Sequence, residues 1–337
     1  MLPALAVADA LTSRGVHVTF AGSPDRVEAR LVPEAGYELD TFRVSGLPRQ
    51  PSPALVRSLM LAGAAPRACR RILRARRPDV VLGGGGFVAG PMVLAASTLG
   101  IPAALTEADA HLGLANRLAA PFAKRLFLAY PIETRWRGKA VVVGRPIPAR
   151  SRAIPQDEAR EIFELPPEGR VLGVFGALAG ARSLNELVVE TWGNAGPHVL
   201  HITGQRDYDL VRRRARRDDY RVVAETDRPG AALSACDLVL ARAGGSVWEV
   251  AAAGKPAVLV PYPFATGDHQ ALNAQHFVHA GGAIMVRELD LDDVPDLVRT
   301  LLDDPARLER MHEAMLHAAR PDAADEIADA LVALAGR

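Results

Sequence analysis

DLVLARAGGSVWEVAAAGKPAVLVPYPF, residues 237–264, is the stretch from which the fold is read. A short apolar run ends at Arg242, Gly244 and Gly245 break it, and a helical segment carrying Glu249 leads to a second apolar run, PAVLVP. Strand, glycine turn, helix and strand in that order form a βαβ unit. Strands this uniformly apolar belong to a parallel sheet covered on both faces. An acidic residue in the first turns of such a helix can accept both hydroxyls of a ribose, while the N–H groups of the turn face a phosphate. The same glutamate also serves as a favourable helix-start charge without any ligand.

The pattern repeats on either side. In the first half, VHVTFAG (16–22), DTFRV (40–44), DVVLGG (79–84), PAALTE (102–107), RLFLA (125–129) and AVVVG (140–144) read as strands. In the second half, RVLGVFG (170–176), HVLHITG (198–204), RVVAE (221–225), DLVLARA (237–243), PAVLVP (256–261) and AIMVR (283–287) do so. Helical periodicity fills the intervals, as in LNELVVETW after Ser183. Between the two sets, residues 144–169 hold five prolines and clustered charges, the composition of a linker. The expectation is two doubly wound α/β domains facing across a cleft, divided as 1–146 and 147–337, with the last helix packing back on the first domain.

Composition narrows the function. Hydrophobic residues make up 49% of the 337 and charged residues 23%, which excludes a disordered chain. The cysteines, Cys69 and Cys236, form no CxxC, and no histidine cluster has ligand spacing, so neither a disulfide framework nor a metal or other cofactor is predicted. No run of about 18 apolar residues is present to span a bilayer. The net charge of +1 conceals an excess of ten basic residues in 1–150 and of nine acidic residues beyond. Much of that excess lies in RACRRILRARR (67–77), beside Val56, Leu59, Met60 and Leu61. An apolar patch bordered by arginines suits an anionic membrane surface, although a solvated helix face has the same composition. No aromatic platform or helix-turn-helix pattern accompanies the arginines, so nucleic acid is not expected as a partner.

Three further motifs carry chemistry. GGGGFVAGP (83–91) joins a strand to a helix, where glycines admit a ligand to the backbone and the helix N-terminus faces a phosphate. GVFGALAGARSLN (173–185) occupies the matching place in the second half. Either turn can instead be ordinary βα packing. TGDHQALNAQ (266–275) gathers Asp268, His269, Gln270 and Asn273, with Gln270 and Asn273 on one helix face. Such amides hydrogen-bond sugar hydroxyls, although a polar helix cap has the same residues.

At these motifs the chain resembles the MurG family of N-acetylglucosaminyltransferases, whose GT-B fold has two facing Rossmann-like domains. LPALAVADALTSRG, EARLVPEAGYEL, VSGL, DVVLGGGGFVAGP, GLANRLA, ARAGGSVWEVAAAGKPAVLVPYPF and DHQALNA follow that family's order across essentially the whole chain. The resemblance implies inverting transfer of N-acetylglucosamine from its UDP donor to undecaprenyl-pyrophosphoryl muramoyl-pentapeptide. It also implies peripheral attachment at the cytoplasmic face of the membrane. Residue by residue, it places the acceptor at Gly85, Gly86, Phe87 and Asn116, with Phe87 where a tyrosine is usual. The donor falls at Gly176, Gly180, Arg182, Arg242, Gly244, Gly245, Glu249, His269, Gln270 and Asn273. Thr106, Glu107, Ala108 and Asp109 match a His-Glu-Gln-Asn stretch, leaving Glu107 and Asp109 as the carboxylates for general-base work. Leu178 stands where the second domain's turn usually has serine.

The family also has a first strand and a Gly-Gly-Thr-Gly-Gly-His loop, and Met1 occupies the position just after that histidine. The first domain is therefore expected to lack its central strand, and the DNA upstream of Met1 is expected to encode it. Two other readings use the same fold. A UDP-sugar epimerase would need no lipid acceptor, and a non-catalytic donor-binding protein would tolerate the altered 106–109 stretch.

Overall fold

The computed structural model describes residues 1–44, 53–176 and 181–336, with the backbone alone at 53–63 and at 266. The chain divides into two compact units. Met1–Pro148 with Pro321–Arg337 form one, and Ala149–Arg320 form the other.

The first unit begins with α1 (Leu2–Thr12), β1 (Thr19–Gly22), α2 (Glu28–Glu34), β2 (Glu38–Thr41) and α3 (Pro53–Arg76). There follow β3 (Val81–Gly83), α4 (Gly86–Thr98), β4 (Ala103–Glu107), α5 (Leu114–Ala119), β5 (Arg125–Leu128) and β6 (Ala140–Val142). All of its ladders are parallel, but they lie in two sheets: β1 pairs with β2, and the order β3-β4-β5-β6 makes the other. β1 and β3 thus each have one strand partner and are edge strands among the described residues. β2 starts two residues before the DTFRV run, because its ladder to Thr19–Gly22 takes Glu38–Thr41.

The second unit contains α6 (Gln156–Ile162), β7 (Val171–Phe175), α7 (Arg182–Trp192), β8 (His198–Ile202), α8 (Tyr208–Arg214) and β9 (Tyr220–Val223). It continues through α9 (Pro229–Ser234), β10 (Leu238–Arg242), α10 (Val247–Ala252), β11 (Ala257–Val260), α11 (His269–His279), β12 (Ala283–Met285), α12 (Val294–Leu302) and α13 (Pro305–Ala318). Its six parallel strands run β12-β11-β10-β7-β8-β9. Counted from β7, that is the doubly wound order 3-2-1-4-5-6, which reverses between β7 and β10. Leu238 and Leu240 join a core with Leu172, Val174, Val258 and Val260 on one face, while Val239 and Leu259 are equally buried on the other. Burial on both faces is why these strands have no polar alternation.

The last helix, α14 (Ala323–Ala335), returns to the first unit. Ile327 and Leu331 pack with Ala6 and Val7 of α1, and Arg14 bridges Asp325 at 2.9 Å and Asp329 at 2.8 Å. Its acids offset part of that unit's basic excess.

Candidate functional sites

In the first unit, the turn after β3 requires its glycines. Gly85 has φ +86° and ψ −174°, and Gly86 has φ +69°; side chains rarely adopt either. A Cβ on Gly86 would meet nothing within 4 Å, so backbone conformation rather than crowding selects glycine there. α4 starts at Gly86 with no side-chain cap, and Phe87 in its first turn is exposed.

The adjoining loop is organised by Glu107 at the end of β4. Its Oε1 accepts from the N–H groups of Ala108 at 3.0 Å and Asp109 at 3.4 Å. Its Oε2 accepts from Gly113 N–H at 2.8 Å and Asn116 Nδ2 at 2.9 Å. Four donors fill the positions a carboxylate offers. Acting as a base, Glu107 would have to surrender one of these bonds; Asp109 is half-buried in the loop that Glu107 holds. Asn116 also donates to Thr106 O at 2.9 Å, which fixes its amide orientation. Its buried Oδ1 has no hydrogen-bond partner among the described residues. Nδ2 lies 4.0 Å from where a Gly85 Cβ would stand, so Asn116 joins the two loops.

The basic stretch on α3 is partly consumed internally. Arg76 pairs with Glu38 at 2.6 Å and Asp40 at 2.7 Å on β2, and Arg70 donates to Thr98 at 2.9 Å. Arg67, Arg71 and Arg74 remain exposed on one face. The side chains of Val56, Leu59, Met60 and Leu61 lie outside the described residues. An apolar stripe that sequence reading did not single out lies on α5. Leu114 and Leu118 are each 66% exposed, Phe122 follows one turn later, and exposed Arg117, Lys124 and Arg125 flank them.

In the second unit, the switch between β7 and β10 places the carboxyl ends of these two strands side by side, where doubly wound sheets bind ligands. Gly176 N–H extends the ladder to Ile202 O at 3.4 Å, and Arg182 starts α7, paired with Glu186 at 2.9 Å. Gly180 and Leu178 lie outside the described residues. After β10 come Gly244, Gly245 and half-buried Glu249 in the first turn of α10. α11 braces this turn. Asn273 is fully buried and donates to Ala243 O at 3.3 Å, while Gln270 accepts from Tyr262 N–H at 2.9 Å and lies 4.0 Å from a Gly244 Cβ. Half-buried His269 begins the same helix.

Arg242 is buried beneath these elements and bound by residues that sequence reading missed. Its guanidinium reaches Glu288 at 2.5 Å and Ser183 at 2.9 Å. The signal for Glu288 was its place just after the last strand of the sheet. Deeper still, His201 is fully buried, with Nδ1 2.8 Å from the Tyr220 hydroxyl and Nε2 2.9 Å from Asn185 Oδ1. Asn185 in turn donates to Thr203 O and to Asp207 Oδ2, both at 3.0 Å. Burial pushes the His201 value down to about 3, against a weaker opposing pull from Asp207.

Two Rossmann-like domains with glycine turns at the strand ends are the GT-B architecture, and the family matches make this one a glycosyltransferase. Residues 1–128 match the glycosyltransferase family 28 N-terminal domain, and residues 171–327 match the C-terminal domain of that family. The chain is 42% identical to the UDP-N-acetylglucosamine--N-acetylmuramyl-(pentapeptide) pyrophosphoryl-undecaprenol N-acetylglucosamine transferase of Acidithiobacillus ferrooxidans, covering 100% of this chain and 95% of the relative. It is 41% identical to the enzyme of the same name from Mycobacterium bovis, over 99% of this chain and 86% of that one. The crystal structure of Acinetobacter baumannii MurG superposes with a TM-score of 0.80 at 26% identity, covering 98% of this chain and 95% of that chain. The chain belongs to the MurG family. UDP-GlcNAc 2-epimerase from Neisseria meningitidis, at 13% identity and a TM-score of 0.66, shares the fold.

Proposed function

We propose that the chain transfers N-acetylglucosamine from UDP-N-acetylglucosamine to the lipid-linked muramoyl-pentapeptide of peptidoglycan synthesis. The observation that carries this is the identity of 42% over the full chain to a transferase of that name. An acceptor hydroxyl attacks the anomeric carbon, the bond from that carbon to the UDP oxygen breaks, and the configuration inverts. The second unit holds the donor. Glu249 accepts the ribose hydroxyls, the Gly176 and Gly244–Gly245 turns face the diphosphate, and Gln270, Asn273 and His269 border the sugar. The first unit takes the acceptor at Gly85, Gly86, Phe87 and Asn116, whose buried Oδ1 has capacity for a donor from the ligand. Glu107 and Asp109 are the carboxylates placed to accept the proton, and Glu107 would give up one of its four hydrogen bonds to do so.

Attachment is peripheral, at the cytoplasmic face of the membrane. No helix among the described residues is long and apolar enough to cross a bilayer. The Leu114–Leu118–Phe122 stripe with its flanking cations has the composition of an interfacial contact to anionic lipid.

Incubation with UDP-N-acetylglucosamine and a short-chain pyrophosphoryl muramoyl-pentapeptide, followed by mass spectrometry, tests the assignment. A disaccharide-linked product is expected. Conversion of the nucleotide sugar alone would favour epimerisation, and binding without turnover would favour a non-catalytic role.

A further inference from the structure

Arg242 was read from sequence as a donor ligand, but its hydrogen bonds point inward. Nη1 donates to Glu288 Oε2 at 2.5 Å and approaches Val260 O at 3.4 Å and Pro261 O at 3.5 Å. Nη2 donates to Ser183 Oγ at 2.9 Å and Glu288 Oε1 at 3.3 Å. Ser183 closes the triangle by donating to Glu288 Oε1 at 2.6 Å. Both terminal nitrogens are therefore engaged by the protein, and a bidentate grip on a diphosphate would require Glu288 to be displaced.

The four anchor points are the elements that border the donor turns. Arg242 ends β10, Ser183 lies in the first turn of α7, Val260 ends β11 with Pro261 just after it, and Glu288 opens the 3-10 turn at Glu288–Asp293. Tyr262, whose N–H Gln270 accepts, has its ring 5.8 Å from the guanidinium. Only 8% of the Arg242 side chain is exposed and 24% of that of Glu288, so solvent screens the pair weakly.

We propose that Glu288 is a positioning residue for the nucleotide-sugar site, orienting Arg242 so that the two together fix α7 and the β10 and β11 exits in the geometry the donor meets. Burial opposes the charge on Glu288, and the hydrogen bonds from Arg242 and Ser183 outweigh it, holding the carboxyl below its usual range. A neutral side chain of the same shape keeps the packing but leaves the buried guanidinium without its counter-charge.

The inference rests on the second unit being the donor domain, and the test separates the two. Donor affinity is measured by calorimetry with UDP-N-acetylglucosamine on the full chain, alongside donor and acceptor KM, for wild type, Glu288→Gln, Arg242→Gln and the double variant. Wild-type binding with a donor Kd raised at least fivefold in Glu288→Gln, and acceptor KM within twofold, is the expected result. Because Glu288 acts through Arg242, the double variant should bind no more weakly than Arg242→Gln alone. Unchanged donor affinity in Glu288→Gln overturns the proposal while leaving the donor-domain reading intact. Equal losses of donor and acceptor use with a lowered melting temperature also overturn it, since they mark a general folding role. Additive losses in the double variant do the same. Absence of donor binding by folded wild type removes the underlying reading itself.

Discussion

Replacing His201 by Phe should make stability nearly independent of one titration that the native protein carries. The geometry assigns the tautomer. Asn185 uses its Nδ2 on Thr203 O and Asp207 Oδ2, so its Oδ1 can only accept, and His201 Nε2 must donate to it. Nδ1 then accepts from the Tyr220 hydroxyl. The ring is neutral and saturated, and protonation would bury a charge. Its value falls from 6.5 to about 3, chiefly through desolvation. Folding favours the neutral form, so the contribution is complete above pH 6.5 and declines as pH falls, vanishing near the folded value. At about 1.4 kcal/mol per unit, roughly 3 kcal/mol is lost between pH 7 and pH 4. The Phe variant strands Asn185 Oδ1 and the Tyr220 hydroxyl, costing about 1–3 kcal/mol for each at neutral pH. Urea unfolding followed by circular dichroism at pH 7, 6, 5 and 4 compares the two proteins. All other titrations are common to both and cancel, so the stability gap should narrow by about 3 kcal/mol on acidification. A gap that stays constant from pH 7 to pH 4 would refute the neutral, buried assignment.

Three other changes probe the sites. Glu249→Ala removes the proposed ribose acceptor and should weaken donor binding by about 1–3 kcal/mol in calorimetry; equal affinity would dismiss that role. Gly85→Ala forces a side chain onto φ +86° and ψ −174° and should cost about 1–3 kcal/mol in urea unfolding while raising acceptor KM, whereas a neutral effect would show that the turn does not need glycine. Leu114→Glu with Leu118→Glu should abolish sedimentation with anionic vesicles at low salt; retention by the double variant would place the membrane contact elsewhere.

Much of the fold was legible in the residues. DLVLAR, PAVLVP and RVLGVF are continuous apolar runs because β10, β11 and β7 are buried on both faces, and burial of that kind leaves its mark on every position. The glycine turns were equally plain, since Gly85 and Gly86 adopt backbone angles that other residues resist. What the string of residues could not convey was which distant groups meet. Periodicity is a local property, whereas strand order is settled by packing, so the reversal that sets the ends of β7 and β10 side by side appears only in the folded sheet. The same holds for charge. Arg76 reads as part of a basic stretch until β2 presents Glu38 and Asp40 to it, and the hydrogen bonds from Gly113 and Asn116 to the second oxygen of Glu107 are visible only in the folded loop. Arg242 is matched by Glu288, 46 residues away, a partner that no local pattern announces. Sequence by itself determined the types of element and where the glycine turns fall between them. Tertiary structure decided which distant groups satisfy one another, as Asn116 does Glu107 and Glu288 does Arg242, because such hydrogen bonds form only once the elements that carry them are packed together.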